Sequence, residues 1–205
     1  SMSHRRVVVT GMGAVTPLGN DLASTWEGVV NGRSGIGPVT HFDTTGFTTR
    51  IAGQIRDFDP TAFVPPKDAK KMEPFIHYGL AASFMALDDS GLEITEANAD
   101  RIGAIIGSGI GGILGIEEQT AKFLEGGARK ISPFYVPSTI INMLPGQLSI
   151  IRGLKGPNFS AVSACATSNH SIGVAMRMIQ HGDADVMVAG GGERGSSPTS
   201  MGGFC

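Results

Sequence analysis

Short β-branched runs alternate with helical segments along most of the chain, and glycines stand at the junctions. The 205 residues include 30 glycines, which indicates many tight turns and close backbone approaches. The apolar runs "RIGAIIGSG" (101–109) and "ADVMVAGGGE" (184–193) each follow a helical stretch rather than another strand. This alternation predicts an α/β fold in which helices cover a mixed, mainly parallel sheet in layers.

The individual elements follow from periodicity and from cap residues. Strands are expected over 5–13, 101–109, 158–164 and 184–193, with "TRIAGQI" (49–55) as a further candidate. Helices are expected over 21–32, 74–91, 112–127, 137–153 and 166–180, the fourth of them kinked at Pro145. The stretch 33–67 and the ending "SSPTSMGGFC" read as loops. We interpret residues 1–4 as an expression remnant and the N-terminus, and 5–205 as one domain.

Charge and hydropathy exclude several classes of partner. The formal net charge of −2 gives no general attraction to nucleic acid or to an anionic membrane. No apolar run is long enough to cross a bilayer and no signal peptide is evident, so we expect a cytoplasmic protein with reduced cysteines. Two basic clusters read either as solvated surface or as a docking site for an acidic protein: Lys67, Lys70 and Lys71, and Arg129 and Lys130.

One of the two cysteines, Cys165, stands where an expected strand gives way to an expected helix. The unpaired amides and the positive dipole end of a helix start favour the thiolate, which is the nucleophilic form of cysteine. Small neighbours leave room for a substrate carbonyl, and the backbone N–H of Cys165 could donate to an oxyanion. The alternative is a buried structural cysteine. His170 is turned by roughly 140° around the helix from Cys165, so we expect it to bond elsewhere.

Two glycine-rich stretches invite a nucleotide-binding interpretation and do not support it. In "TGMGAVTPLG" the third glycine of the dinucleotide fingerprint is replaced by Thr16, and Pro17 follows where a helix should open. The stretch "IGSGIGGILG" lacks the lysine of a phosphate-binding loop. We therefore expect these glycines to let the backbone pass close to an active site.

Six motifs occur in one order between about Arg5 and Phe204: "VVVTGMGAVTPLGN", "FIHYGLAAS", "IGSGIGG", "RKISPFYVPSTIINM", "VSACATSNHSIG" and "GDADVMVAGGGE". On these motifs the chain resembles the β-ketoacyl-acyl carrier protein synthases, and among them the synthase II branch. The resemblance implies a thiolase-like fold of two similar α/β halves and a homodimer that elongates fatty acids. It implies chemistry that needs neither a metal nor an organic cofactor.

The resemblance also implies roles for individual residues. It places the nucleophile at Cys165, at the start of a buried central helix. It places the acyl-chain pocket at Ile110, Phe134, Tyr135 and Phe204. Of these, Phe134 and Tyr135 are expected to reach the partner subunit's site, and Phe204 is expected in a glycine-rich loop by the active site. It places the docking face for the acidic acyl carrier protein at Lys67, Lys70, Lys71, Arg129 and Lys130.

Two departures from the family pattern bear on function. Phe134 and Tyr135 stand where relatives usually have two phenylalanines, so the added hydroxyl leaves the chain-length preference open. The match covers only the first half of a family member, and the resemblance assigns two catalytic histidines, a lysine and a second oxyanion amide to the other half. We therefore expect acyl transfer to Cys165 and decarboxylative condensation with malonyl-acyl carrier protein in the complete enzyme, and no condensation by these 205 residues alone.

Three alternatives remain open at this point. A cysteine thioester hydrolase would use the same nucleophile with water in place of a malonyl substrate. A non-catalytic subunit that docks the carrier protein would normally have lost Cys165. A nucleotide-binding domain would be stabilised by NAD or ATP, an effect that we do not expect.

Overall fold

A computed structural model describes residues 5–205, in which a parallel sheet lies at the centre. The strands of this part of the chain are β1 (Ile36–Pro38), β2 (Ile51–Gly53), β3 (Ile102–Gly107), β4 (Asn158–Phe159) and β5 (Val186–Gly191). The sheet has the order β4-β3-β5 with all strands parallel, and β1 and β2 form a separate antiparallel pair. The candidate strand at 49–55 is thus confirmed over its middle three residues.

The helices are α1 (Leu22–Val30), α2 (Pro66–Ala69), α3 (Pro74–Ser90), α4 (Ile113–Gly126), α5 (Tyr135–Thr139), α6 (Met143–Arg152), α7 (Thr167–His181) and α8 (Pro198–Phe204). Their ends follow the cap signals. The Asp21 side chain accepts the Ser24 N–H at the start of α1 (2.7 Å), and α3 ends at Gly91 with a left-handed φ of 65°. None of these helices combines the length and the apolar character that a membrane crossing requires.

The central strand β3 is buried along its whole length because helices cover both faces of the sheet. On one face Ile102, Ala104 and Ile106 join the apolar core with side chains of α3 and α6. On the other face α7 approaches so closely that a Cβ on Gly107 would meet the Thr167 methyl group at 2.4 Å. The result is three layers, α3 and α6, the sheet, and α7, as the alternating sequence predicted.

The N-terminal strand expected over 5–13 is not formed. Residues 5–13 pair with no strand in the described part of the chain, and Val8 and Val9 are 68% and 75% exposed. The segment is tied down at Arg5, whose guanidinium donates to Asp185 (3.0 Å) at the entrance to β5. A β-branched run encodes the propensity for a strand, but a strand also requires a neighbour for its backbone hydrogen bonds.

The helix expected over 137–153 is two helices, α5 and α6, separated at Ile140–Asn142 rather than kinked at Pro145. This break places Pro145 in the first turn of α6, where its missing N–H costs no helical hydrogen bond.

Two further expectations near the ends of elements were wrong. The loop expected after β5 contains α8, which begins at Pro198 after the capping side chain of Ser197. Only Asn158–Phe159 pair as a strand out of the expected 158–164.

The outer face of α7 is not buried by residues 5–205, since Ile172 is half exposed.

Candidate active site

Cys165 lies between β4 and α7, at the carboxyl end of a parallel strand, where α/β folds commonly build their sites. It occupies a 3₁₀ turn, Ala164–Ala166, that continues directly into α7 at Thr167, and its side chain is exposed. The thiol therefore stands just ahead of the first turn of a 15-residue helix. The amides and the dipole of that turn favour negative charge nearby.

The backbone that carries Cys165 is strained and held from within. Ala164 has a left-handed φ of 51°, a conformation that costs a non-glycine residue on the order of 1 kcal/mol. The buried hydroxyl of Thr167 accepts the Ser163 N–H (2.9 Å) and donates to the Ala164 carbonyl (2.8 Å). The Thr167 side chain thus bonds two backbone groups just before Cys165, the Ser163 N–H and the Ala164 carbonyl.

His170 bonds away from Cys165, as the helical geometry predicted. Its Nδ1 lies 2.5 Å from the Ser163 hydroxyl, so the imidazole ties α7 back to the residue that precedes the turn. No sequence pattern identifies Ser163 as the partner, because the two residues lie seven positions apart across a change from turn to helix.

The turn that follows β3 brings Ile110 next to this segment. A Cβ built on Gly109 would lie 3.6 Å from the Ala164 Cα, so the turns after β3 and β4 are in contact. Ile110 lies within this turn and is 41% exposed. Gly111 follows with a φ of 56°, which favours glycine at this position.

The other residues expected in the acyl pocket lie on two short helices. Phe134 caps α5 and Tyr135 begins it, and the Thr139 carbonyl at its end accepts the Gly112 N–H (3.1 Å). Helix α5 is thereby joined to the turn of Ile110. Phe204 was expected in a glycine-rich loop, but it is the last residue of α8 and its side chain is 84% exposed.

The basic residues expected to dock a carrier protein lie on the surface near α5. Lys67 belongs to α2, Lys70 and Lys71 follow it, and Arg129 and Lys130 form a 3₁₀ turn after α4. Lys71 joins the first group to α5, since its Nζ lies 5.4 Å from the ring centre of Phe134 and 3.5 Å from Asp68 Oδ1. A cation at this distance from an aromatic face is attracted to it.

Sequence reasoning missed two carboxylates that belong to this region. Glu193 follows β5 and bonds the turn of Ile110; a polar residue directly after a parallel strand was the signal that could have found it. Glu73 precedes α3, and burial together with the nearby Glu118 raises its pKa to about 7. Among residues 5–205, no three His, Cys, Asp or Glu side chains are grouped so that they could hold a metal ion.

Comparison with known sequences identifies a family. Residues 4–205 match the model of the "Beta-ketoacyl synthase, N-terminal domain". The chain is 57% identical over 203 residues to the 3-oxoacyl-[acyl-carrier-protein] synthase 2 of Vibrio harveyi and 50% identical to that of Coxiella burnetii. Each alignment covers 99% of this chain and 49% of the relative, so the chain spans about half the length of the curated relatives it matches.

Comparison with solved structures leads to the same family. The ishigamide ketosynthase/chain length factor superposes with a TM-score of 0.85 at 29% identity, over 98% of this chain and 50% of that one. A chain of the complex between a type II PKS acyl-carrier protein and its ketosynthase superposes with a TM-score of 0.82 at 28% identity, over 97% of this chain and 54% of that one. The fold is thus the thiolase-like fold of ketosynthases, about half of which this chain covers. The chain belongs to the β-ketoacyl synthase family and carries its N-terminal domain.

Proposed function

We propose that the protein containing this chain is a 3-oxoacyl-acyl carrier protein synthase of the synthase II type, which elongates fatty acids in the cytoplasm. The observation that carries the proposal is the contact between the turn of Cys165 and the turn of Ile110 at the carboxyl ends of β4 and β3. An exposed thiol at a helix start beside an apolar side chain suits a substrate with a reactive carbonyl and a long hydrocarbon tail. The 57% identity to a synthase 2 supports the same reaction.

The first half-reaction transfers an acyl group to Cys165. The thiolate attacks the carbonyl carbon of an acyl thioester on a carrier protein, and the backbone N–H of Cys165 donates to the oxygen that becomes negative. The new carbon–sulfur bond forms as the bond to the carrier thiol breaks, and the carrier thiol takes up the proton that Cys165 lost. The acyl chain lies along Ile110 and Phe204 of the same chain and, in the homodimer proposed below, along Phe134 and Tyr135 of the second copy.

The second half-reaction extends the chain by two carbons. Malonyl-acyl carrier protein loses carbon dioxide, and the electron pair of the broken carbon–carbon bond attacks the acyl carbonyl on Cys165. The carbon–sulfur bond to Cys165 then breaks, which regenerates the thiolate and releases 3-oxoacyl-acyl carrier protein. By family resemblance, the donors that stabilise the enolate belong to the remainder of the protein.

The carrier protein docks, in this proposal, on the basic surface of Lys67, Lys70, Lys71, Arg129 and Lys130. Four of these side chains are exposed and Lys71 is half-buried, which suits reversible recognition of an acidic partner. The contact of Lys71 with Phe134 places this surface beside α5. We further propose a homodimer in which Phe134 and Tyr135 reach the partner's acyl pocket.

The experiment is a two-substrate assay of the full-length protein with acyl- and malonyl-carrier proteins. We expect 3-oxoacyl product, detected by mass spectrometry, from the wild type and none above background from Cys165→Ala. Free fatty acid released without malonyl substrate would indicate a thioester hydrolase instead. Carrier binding with no acylation of Cys165 would indicate a docking subunit. Either result would overturn the proposal.

A further inference from the structure

We propose that Glu193 is a positioning residue that fixes the turn of Ile110 beside Cys165 and thereby sets which acyl chain lengths react. This inference rests on the proposed function, since it assigns the control of substrate length within that site. Ser108, Gly109, Ile110 and Gly111 are called the 108–111 turn below.

The carboxylate of Glu193 accepts hydrogen bonds from three donors of the 108–111 turn, although these lie 83 to 85 residues away in the sequence. Its Oε1 accepts the Ser108 hydroxyl (2.9 Å) and the Ile110 N–H (3.4 Å), and its Oε2 accepts the Gly109 N–H (2.6 Å). Hydrogen bonds to a charged acceptor are stronger than those between neutral groups. Glu193 therefore holds the backbone on both sides of Gly109.

The internal geometry of the turn depends on the same contacts. The Ser108 hydroxyl, which donates to Glu193, also accepts the Gly111 N–H (3.0 Å), and Ser108 is 2% exposed. The carboxylate lies so close to the main chain that a Cβ on Gly109 would meet Oε2 at 2.6 Å. Glycine at position 109 thus permits the carboxylate to bond the backbone directly.

Gly112, the residue after the 108–111 turn, is joined to α5 through the bond from its N–H to the Thr139 carbonyl. Ile110 lies between these two supports, and the chain after Glu193 approaches it, since a Cβ on Gly195 would lie 4.0 Å from the Ile110 Cδ1. Gly109 faces Ala164, the residue before Cys165. A shift of this turn therefore moves Ile110 relative to the sulfur that carries the acyl group.

Removal of the Glu193 carboxylate should change the selectivity for acyl chain length more than it changes the reactivity of the Cys165 thiol. A misplacement of about 1 Å at a positioning group can alter a rate by up to about a hundredfold. We expect Glu193→Ala to shift the ratio of Cys165 acylation rates for a long and a short acyl-carrier protein by about tenfold. Glu193→Gln keeps one acceptor oxygen and should fall between the wild type and the alanine variant.

The test uses the full-length protein, with acylation of Cys165 followed by intact-protein mass spectrometry for octanoyl- and palmitoyl-carrier protein. Glu125→Gln, an exposed carboxylate on α4, is the matched control and should leave the ratio unchanged. Ser108→Ala removes one of the three donors to Glu193, and it should shift the ratio of acylation rates in the same direction by a smaller factor. Amide exchange of Gly109 and Ile110 should quicken in Glu193→Gln.

The outcomes separate this inference from the proposed function. A wild type that is not acylated at Cys165 refutes the proposed function and with it the role in selectivity. A wild type that is acylated, with the same ratio in Glu193→Ala and Ser108→Ala, refutes the inference alone. If Glu193→Ala does not fold, Ser108→Ala and Glu193→Gln decide the question. Faster exchange with an unchanged ratio would make Glu193 a structural support only, which also contradicts the inference.

Discussion

The side chain that most directly shapes the turn of Cys165 is Thr167, because its buried hydroxyl bonds two backbone groups of a partly exposed turn. Replacing Thr167 by valine keeps the shape of the side chain and removes both hydrogen bonds. We expect a loss of about 1–2 kcal/mol in the free energy of unfolding, since a typical hydrogen bond contributes about 0.5–1.5 kcal/mol and two are removed. The measurement is chemical denaturation of Thr167→Val and of the wild type.

Thr120→Val is the control for this change, because Thr120 is an exposed residue of α4. It should alter the unfolding free energy by no more than about 0.5 kcal/mol. Alkylation of Cys165 by iodoacetamide should also slow in Thr167→Val, since the strained turn at Ala164 relaxes. Equal stability and equal alkylation in Thr167→Val and Thr120→Val would contradict the role of the hydroxyl.

Glu73 gives the fold a dependence on pH. Its pKa in the folded state is raised from the ordinary 4.5 to about 7, first by burial and then by the nearby charge of Glu118. Between these values the folded state holds a proton that the unfolded state has lost, so stability falls as pH rises through this window. We expect a decrease on the order of 1–2 kcal/mol after allowance for solvent screening of the exposed part.

Glu73→Gln carries no titrating proton, so its stability should vary less than that of the wild type between about pH 5 and about pH 8. Thermal unfolding at both pH values provides the comparison, and Glu125→Gln should retain the wild-type dependence. Parallel pH profiles for wild type and Glu73→Gln would show that another group titrates.

At the residue scale the sequence predicted correctly that Cys165 lies between a strand and a helix, but it missed the contacts of Glu193 and Ser163. A cysteine between a strand and a helix is a local pattern, so it can be read directly. The contacts of Glu193 with the 108–111 turn depend on the parallel pairing of β3 and β5, and a single sequence does not encode that adjacency in any local pattern. The bond from His170 to Ser163 depends on the position of the 3₁₀ turn, which propensities do not predict.

At the scale of elements, the predictions held where caps and periodicity agreed. Helices α1, α3 and α4 begin and end within a few residues of the expected positions, since glycine and proline mark their ends. The helix over 137–153 was wrong because the apolar periodicity continues through Ile140–Asn142 although the backbone changes direction there. The strand at 5–13 was wrong because pairing is a property of the neighbours rather than of the run itself.

The 3₁₀ turn of Arg129 and Lys130 can be tested as a docking element. Replacing both residues by glutamate reverses the charge of an exposed turn and should weaken binding of the carrier protein about tenfold at low salt. The difference should shrink at high salt, because exposed charges are screened. Titration by surface plasmon resonance at two salt concentrations measures both effects.

Lys155→Glu is the control for the docking variant, since this exposed lysine lies at the opposite end of the sheet, beside the start of β3. It should bind the carrier protein like the wild type. Unfolding should be nearly unchanged in all variants. Binding that is equal at low salt for the double variant and for Lys155→Glu would make Arg129 and Lys130 ordinary surface charges.

At the scale of the whole molecule, the site follows from the parallel sheet. The strands β3, β4 and β5 end at one edge, and the turns after them carry Ile110, Cys165 and Glu193 respectively. The alternating pattern predicted this architecture, and parallel strands place their following turns together. The sequence could not show which helix faces remain uncovered: Ile172, Val174 and Met176 of α7 are exposed in the described part of the chain.

Both cysteines are exposed, so reactivity alone does not single out Cys165 as the acylated thiol. Hydrogen bonds from the Thr48 side chain, and then from Thr49, lower the pKa of Cys205, which makes it a competitor for simple alkylating reagents. The turn of Ile110 is in contact with the segment of Cys165, and this contact should direct a long acyl thioester to that thiol.

The most direct test of this account is to map the acyl group after incubation of the full-length protein with palmitoyl-carrier protein. Peptide mass spectrometry should place the palmitoyl group on Cys165. The thioester should be lost in Cys165→Ser and retained in Cys205→Ser. Palmitoyl found on Cys205, or acylation that persists in Cys165→Ser at the wild-type rate, would contradict the assignment of the nucleophile.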